Sequence, residues 1–134
     1  MLTYHVTARR IDSHGCDVTT KAAHLLADTD LAGRQDAFNP AELLLAALAA
    51  CILKGIERLA PLLHFTFAGA EVTLTGERQD APPKIQRITY HLVVDTAETD
   101  ARLNLLLRNV QKYGTVHNAL AACVQIDGKV QRKL

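Results

Sequence analysis

The chain has 134 residues, 22% of them charged, with fifteen Lys and Arg against fourteen Asp and Glu and a net charge of +1. A single domain of this length buries roughly two-thirds of its unfolded surface, and the balanced charge leaves no basic stripe for nucleic acid or an anionic membrane. The longest apolar run is shorter than the roughly 20 residues that cross a bilayer, and the start, Met1-Leu2-Thr3-Tyr4-His5-Val6, lacks the charged and apolar regions of a signal peptide. We therefore expect a soluble, cytoplasmic protein, with residues 1–134 as one domain.

Tyr4, Val6 and Ala8 alternate with His5, Thr7 and Arg9, the pattern of a half-buried strand. Turn chemistry at Asp12-Ser13-His14-Gly15 leads to a second strand, Cys16 to Thr20. Ala22 to Ala27 reads as a third, because Asp28-Thr29-Asp30 closes it quickly. The polar loop from Asp28 to Phe38 holds Gly33 and Arg34, and its length suits a surface or site-lining role. Asn39 then caps a helix. Pro40 takes the first helical position, Glu42 can bond back to the cap, and Phe38 and Leu43 occupy the staple positions. Eleven uninterrupted apolar residues follow, Leu43 to Leu53, so this helix should be buried on every side. It is expected to run from Pro40 to about Leu59, roughly 30 Å, with Pro61 helping to stop it.

His64 to Arg78 reads as a strand and Gln79 to Pro83 as a turn, with Ile88, Tyr90, Leu92 and Val94 forming the buried row of a partner strand in a hairpin. Thr99-Asp100 caps a second helix, whose Leu103, Leu106, Leu107 and Val110 share one face. It ends at Lys112-Tyr113-Gly114, with glycine placed for a left-handed C-cap. A short third helix, Val116 to Ala122, leads into Val124-Gln125-Ile126, and the Asp127-Gly128 pair could turn this into a small terminal hairpin. The order of strands, long helix, hairpin, helices and strand gives an α+β fold with an antiparallel sheet.

Three cysteines stand at 16, 51 and 123 without a CxxC pair, so neither a disulfide framework nor a zinc site is expected, and the cytosol would keep them reduced. Six histidines, at 5, 14, 24, 64, 91 and 117, include no pair at helical spacing, so no metal or other cofactor is expected. Cys51 reads two ways. A free cysteine in an Ala/Leu helix is usually a packing residue. On the helical wheel it also shares a face with Lys54, Gly55 and Arg58. Helical side chains lean toward the N-terminus, so Lys54 leans over the turn holding Cys51, and a cation there would favour the nucleophilic thiolate. Lys54 and Arg58 equally suit a role at the helix C-terminus. His117 is either a surface histidine or a base and hydrogen-bond partner facing Cys51. Cys123 reads as packing the short helix against the sheet. Its alternative role, resolving an oxidised Cys51, needs a Cα separation within about 7 Å. Cys16 follows a turn and receives no role.

The run Asn39-Pro40-Ala41-Glu42-Leu43-Leu44-Leu45-Ala46-Ala47-Leu48-Ala49-Ala50-Cys51 resembles the central-helix signature of the OsmC/Ohr family of thiol-dependent peroxide reductases. Asp28-Thr29 and Val116-His117-Asn118-Ala119-Leu120 are similar to further family features, and the element order agrees over nearly the whole chain. The resemblance implies OsmC-like antiparallel sheets, a long buried central helix, and an intertwined homodimer with two sites at the subunit interface. It also implies that the cysteine matching Cys51 attacks the peroxide O–O bond and becomes a sulfenic acid. A disulfide with a second cysteine follows, which a dithiol such as a lipoyl group reduces. Two departures stand out. The family's second cysteine lies in a Cys-Pro-Val-(Ser or His)-Asn run, which here reads Gly114-Thr115-Val116-His117-Asn118. The peroxidatic members carry a glutamate directly after the proline, where this chain has Ala41, and Glu42 comes one residue later on another face. The arginine accompanying that glutamate has Arg34 as its candidate, with Arg9 and Arg10 as rivals.

Two functions follow from these residues. The first is hydroperoxide reduction by Cys51 in oxidative-stress defence, with His117, Arg34 and Lys54 as supporting candidates and an external thiol or dithiol clearing the sulfenic acid. The second is an OsmC-fold dimer without that chemistry, holding a small apolar or acyl ligand in its interface pocket. A purely structural dimer is a third. The homodimer is common to all three, since a second subunit covers an all-round apolar helix.

Overall fold

The computed structural model describes residues 1–134 as six strands and three helices. In chain order these are β1 (Thr7–Asp12), β2 (Gly15–Thr20), β3 (Ala23–Asp28), α1 (Pro40–Leu62), β4 (Gly69–Gln79), β5 (Lys84–Asp95), α2 (Asp100–Lys112), α3 (Thr115–Ala121) and β6 (Gln125–Arg132). They fall into two compact units, Met1–Leu44 and Leu45–Leu134. The mixed α+β composition is the expected one. No helix is long and apolar enough to cross a membrane.

In the first unit, β1, β2 and β3 form an antiparallel sheet in that order. Ala22 to Ala27 is indeed a strand, one residue later than expected. The first strand differs more. It starts at Thr7 rather than Tyr4, and all six of its residues are exposed. Alternation marks a face able to be buried, but this edge strand has nothing within its unit to cover it. Tyr4, Val6 and Ile11 remain 74%, 66% and 58% exposed.

The cap at the start of α1 is as the sequence indicates. Glu42 N–H donates to Asn39 Oδ1 at 2.8 Å, and Asn39 N–H donates to Glu42 Oε1 at 2.9 Å, satisfying two donors that a helix end otherwise leaves unpaired. Phe38 stays 55% exposed, with its carbonyl accepting from Asp28 N–H at 2.8 Å. Removing the cap by Asn39→Ala is expected to cost about 1 kcal/mol in urea unfolding. Asn39→Ala combined with Glu42→Ala should cost less than the sum of the two, because each mutation removes the partner of the other.

In the second unit α1 buries Leu48, Ile52, Gly55, Ile56, Leu59 and Ala60, one helical stripe. Ala47, Ala50, Leu53 and Lys54 on its other side are exposed. Burial on every side is therefore not achieved within one chain, because only the stripe facing the sheet and α2 has anything to pack on. The helix also runs through Pro61 to Leu62 instead of stopping at Leu59. Pro61 offers no N–H to the carbonyl of Glu57 one turn back, and the helix ends one residue after it. His64 then takes a left-handed conformation (φ 50°). Its N–H bonds to Pro61 O at 3.3 Å, and Phe65 N–H bonds to Ala60 O at 2.8 Å, the pairing of a Schellman C-cap. Phe65 is consequently out of the strand, and β4 begins at Gly69 rather than His64. Arg102 completes the helix end. Its Nη2 donates to Leu63 O at 2.5 Å and to His64 O at 3.2 Å, while its Nε donates to Glu98 Oε1 at 2.9 Å. The Thr66 N–H and Arg102 together hold the Glu98 carboxyl below its ordinary pKa.

The hairpin β4–β5 is antiparallel as expected, and Ile88, Tyr90, Leu92 and Val94 are its buried row. Beneath them lie α1 and the Leu103, Leu106, Leu107 and Val110 face of α2, whose N-cap Thr99 accepts from Arg102 N–H. Two expectations fail at the carboxyl end. Gly114 is not a left-handed cap. Its φ is −80°, and it serves as the N-cap of α3. Nor does Asp127-Gly128 form a hairpin. Both lie within β6, which pairs in parallel with β5, making the sheet mixed rather than antiparallel. The glycine is required by packing instead of by a turn. Gly128 stands opposite Tyr90 in the register, and an added Cβ would come within 2.0 Å of Tyr90 Cζ.

Candidate active site

Cys51 lies where the buried stripe of α1 meets its exposed side. Leu48, Ile52 and Gly55 around it are buried, Ala47, Ala50 and Lys54 are exposed, and the cysteine itself is half-buried. Helical periodicity alone determines that placement. Across from the thiol, the chain passes from α2 to α3 through buried Gly114. A Cβ built on Gly114 would stand 3.0 Å from Val110 O, 3.1 Å from His117 Cβ and 3.2 Å from Cys51 Sγ. Cys51 and His117 are thus brought to the same small stretch of backbone.

His117 has a further peculiarity. Its Nδ1 is buried and has no hydrogen-bond partner, the only buried side-chain nitrogen or oxygen of the chain left so. An unmet polar group of this kind costs about 1–3 kcal/mol, and such groups call for an explanation. The arrangement gathers a half-accessible thiol, an imidazole nitrogen with an unused bonding position, and a glycine that lets both approach one backbone. A thiol can be deprotonated and act as nucleophile, and an imidazole can take up or deliver the proton.

Lys54 is exposed and joins no ion pair, so the cation expected over Cys51 is not fixed there. Arg58, one turn further on, reaches the other way. Its Nη1 donates to Tyr113 O at 3.4 Å, at the C-cap of α2. It therefore completes the end of α2 rather than of its own helix. The sequence offers a hint of this only in the shared face of Cys51 and Arg58. Cys123 does not pack α3 on the sheet. It is exposed, with its thiol donating to Leu120 O at 3.7 Å, because α3 ends at Ala121, before it. Cys16 is half-buried in β2. No group of three or more His, Cys, Asp and Glu side chains converges to hold a metal.

Arg34 belongs to the first unit and is engaged there. Its Nε and Nη2 donate to Asp36 at 2.6 and 2.9 Å, and its Nη1 to His14 O at 3.2 Å. The ion pair raises the Arg34 pKa and lowers that of Asp36. The guanidinium also lies over Gly15, where a Cβ would come within 2.8 Å of Nη1. The loop owes its shape to Asp28, which is 5% exposed and accepts from Asp30 N–H at 2.9 Å and Arg34 N–H at 3.0 Å. Asp30 in turn accepts from Ala32 N–H and meets His14 Nδ1 at 2.7 Å, which together hold its carboxyl below the usual range. Arg9 and Arg10 lie exposed on β1.

Residues 33–129 match the family described as OsmC-like protein. No curated protein matches the chain. Among solved structures, an OsmC-like protein from Mycoplasma pneumoniae is similar over 99% of both chains, with a TM-score of 0.91 at 21% identity. An organic hydroperoxide resistance protein OsmC from Legionella pneumophila is similar over 98% of both chains, with a TM-score of 0.77 at 20% identity. The organic hydroperoxide resistance protein OhrB of Bacillus subtilis gives a TM-score of 0.68 at 21% identity, over 97% of this chain and 98% of the other.

Proposed function

Because the chain belongs to the OsmC-like protein family, we propose that it reduces hydroperoxides in oxidative-stress defence, with Cys51 as the nucleophile. The observation carrying this reading is the half-buried Cys51 thiol, set at the end of the family's helix signature and against the Gly114 backbone. The chain's likeness to the organic hydroperoxide resistance proteins of Legionella pneumophila and Bacillus subtilis supports it.

The sulfur attacks the terminal oxygen of the hydroperoxide, the O–O bond breaks, and an alcohol leaves. Cys51 loses two electrons and becomes a sulfenic acid. With glycine at position 114, an external thiol condenses with that sulfenic acid, releasing water and leaving a mixed disulfide. A second thiol, or the other end of a dithiol, then frees Cys51. Arg34, occupied by Asp36, and Lys54, exposed, receive no step in this scheme. The three free cysteines suit a reducing, cytoplasmic setting.

The working unit we propose is a homodimer. Ala47, Ala50 and Leu53 on α1, and Tyr4, Val6 and Ile11 in the first unit, are exposed in a single chain, and covering such apolar residues favours association. Light scattering should return about twice 14.6 kDa; a mass near the single-chain value would overturn the dimer. For the chemistry, consumption of cumene hydroperoxide with added monothiol or dithiol should fall to the uncatalysed rate in Cys51→Ser. Equal rates for wild type and variant would end the peroxidase reading. An unreactive Cys51 together with a co-purified apolar or acyl ligand would put ligand binding in its place.

A further inference from the structure

We propose that His117, through Nδ1, carries the proton of the Cys51 reaction, a role that rests on the hydroperoxide reading above. Three observations converge on it. Cys51 Sγ and His117 Cβ approach the same point on Gly114, at 3.2 and 3.1 Å. His117 Nδ1 is buried without a partner, so one bonding position of the imidazole is spent on nothing within the chain. The nearby cations are otherwise placed, with Arg58 on Tyr113 O and Lys54 exposed and unpaired.

The step balances without a further reagent. The Cys51 S–H proton passes to Nδ1, and the thiolate attacks the terminal peroxide oxygen. The O–O bond breaks, and the departing alkoxide takes the proton back from Nδ1 as the alcohol. Sulfur is oxidised by two electrons, the peroxide is reduced by two, and His117 ends as it began. General acid–base assistance of this kind contributes a factor of about 100 or more.

Two amide replacements test the assignment. Asparagine puts a polar atom near the place of Nδ1 and glutamine near that of Nε2, but neither shuttles a proton. His117→Asn and His117→Gln should both lower the second-order rate of Cys51 oxidation by cumene hydroperoxide about 100-fold, followed by intact mass with Cys51→Ser as the blank. Alkylation of Cys51 by iodoacetamide at pH 10, where an ordinary thiol is already ionised, should be unchanged in both. Added imidazole should restore part of the oxidation rate to His117→Ala. Oxidation at the wild-type rate in the Asn and Gln variants would overturn the role. So would a parallel loss of oxidation and high-pH alkylation without imidazole rescue, which would make His117 a structural residue. If wild-type Cys51 oxidises no faster than free cysteine, the hydroperoxide reading itself fails, a result distinct from either.

Discussion

Gly114→Cys should close a disulfide with Cys51. In a relaxed disulfide the Cβ of one residue lies about 3 Å from the sulfur of the other, given an S–S bond of about 2.05 Å, and the Gly114 Cβ position is 3.2 Å from Cys51 Sγ. The same Cβ would sit 3.0 Å from Val110 O and 3.1 Å from His117 Cβ, so the reduced variant should lose about 1 kcal/mol to crowding. Once oxidised it should gain about 4 kcal/mol, because the link closes the long loop between positions 51 and 114 in the unfolded chain. Oxidation with diamide should remove two of the four thiols of the variant and lower its intact mass by two hydrogen atoms. On the proposed hydroperoxide chemistry, peroxide turnover should become strongly dithiol-dependent, since an internal thiol would capture the sulfenic acid before an external one arrives. Four titratable thiols after oxidation would show that the two sites do not meet in solution.

The second large effect is expected at Gly128. Alanine there would place its Cβ 2.0 Å from Tyr90 Cζ and 2.4 Å from both Cε2 and the phenol oxygen. The ring has little freedom to yield. Tyr90 is 4% exposed, and its hydroxyl accepts from Gln111 Nε2 at 2.8 Å, tying β5 to α2. That burial is also what pushes the Tyr90 pKa up. Gly128→Ala should therefore cost about 3 kcal/mol by urea unfolding, at the upper end of overpacking effects, and lower Tm by roughly 10 °C. In a Tyr90→Ala background the same change should cost almost nothing, because the ring it strikes is gone. A single variant within about 0.5 kcal/mol of wild type would mean that the strand moves aside freely.

These two glycines also mark the boundary of what the sequence discloses. The capping box of Asn39 and Glu42, the alternation of Ile88 to Val94 and the stripe of Leu103 to Val110 depend on spacing along one element, and all three were legible. Gly114 and Gly128 each occur where local turn chemistry supplies a ready explanation. What surrounds them comes in part from other elements, the Cys51 thiol beside Gly114, along with Val110 O and His117 Cβ, and the Tyr90 ring over Gly128. The parallel pairing of β6 was hidden for the same cause, since its Asp-Gly pair imitates a hairpin turn. In the candidate site, Cys51 and His117 were legible as residues and through the family signature, but their shared contact on Gly114 required coordinates. Lys54 was placed by wheel geometry, which gives a side chain's direction but not whether anything fixes its end. Arg34 was placed by its loop position, which does not reveal that Asp36 and the His14 carbonyl already occupy the guanidinium.

The parallel strand at the carboxyl end constrains the order in which the chain can acquire its structure. Strand β5 can meet β4 as soon as the short turn between them closes, but β6 reaches β5 only after the whole α2–α3 crossover has been made and laid across. Contacts between residues so distant in sequence form late and slowly. Until then, β5 presents an unpaired edge with Ile88, Tyr90, Leu92 and Val94 along it. Such an edge is a template for another chain. The interval between synthesis of β5 and docking of β6 is thus when the β5 edge is open to mispairing, and α2, by covering that apolar row, is the element placed to shield its face.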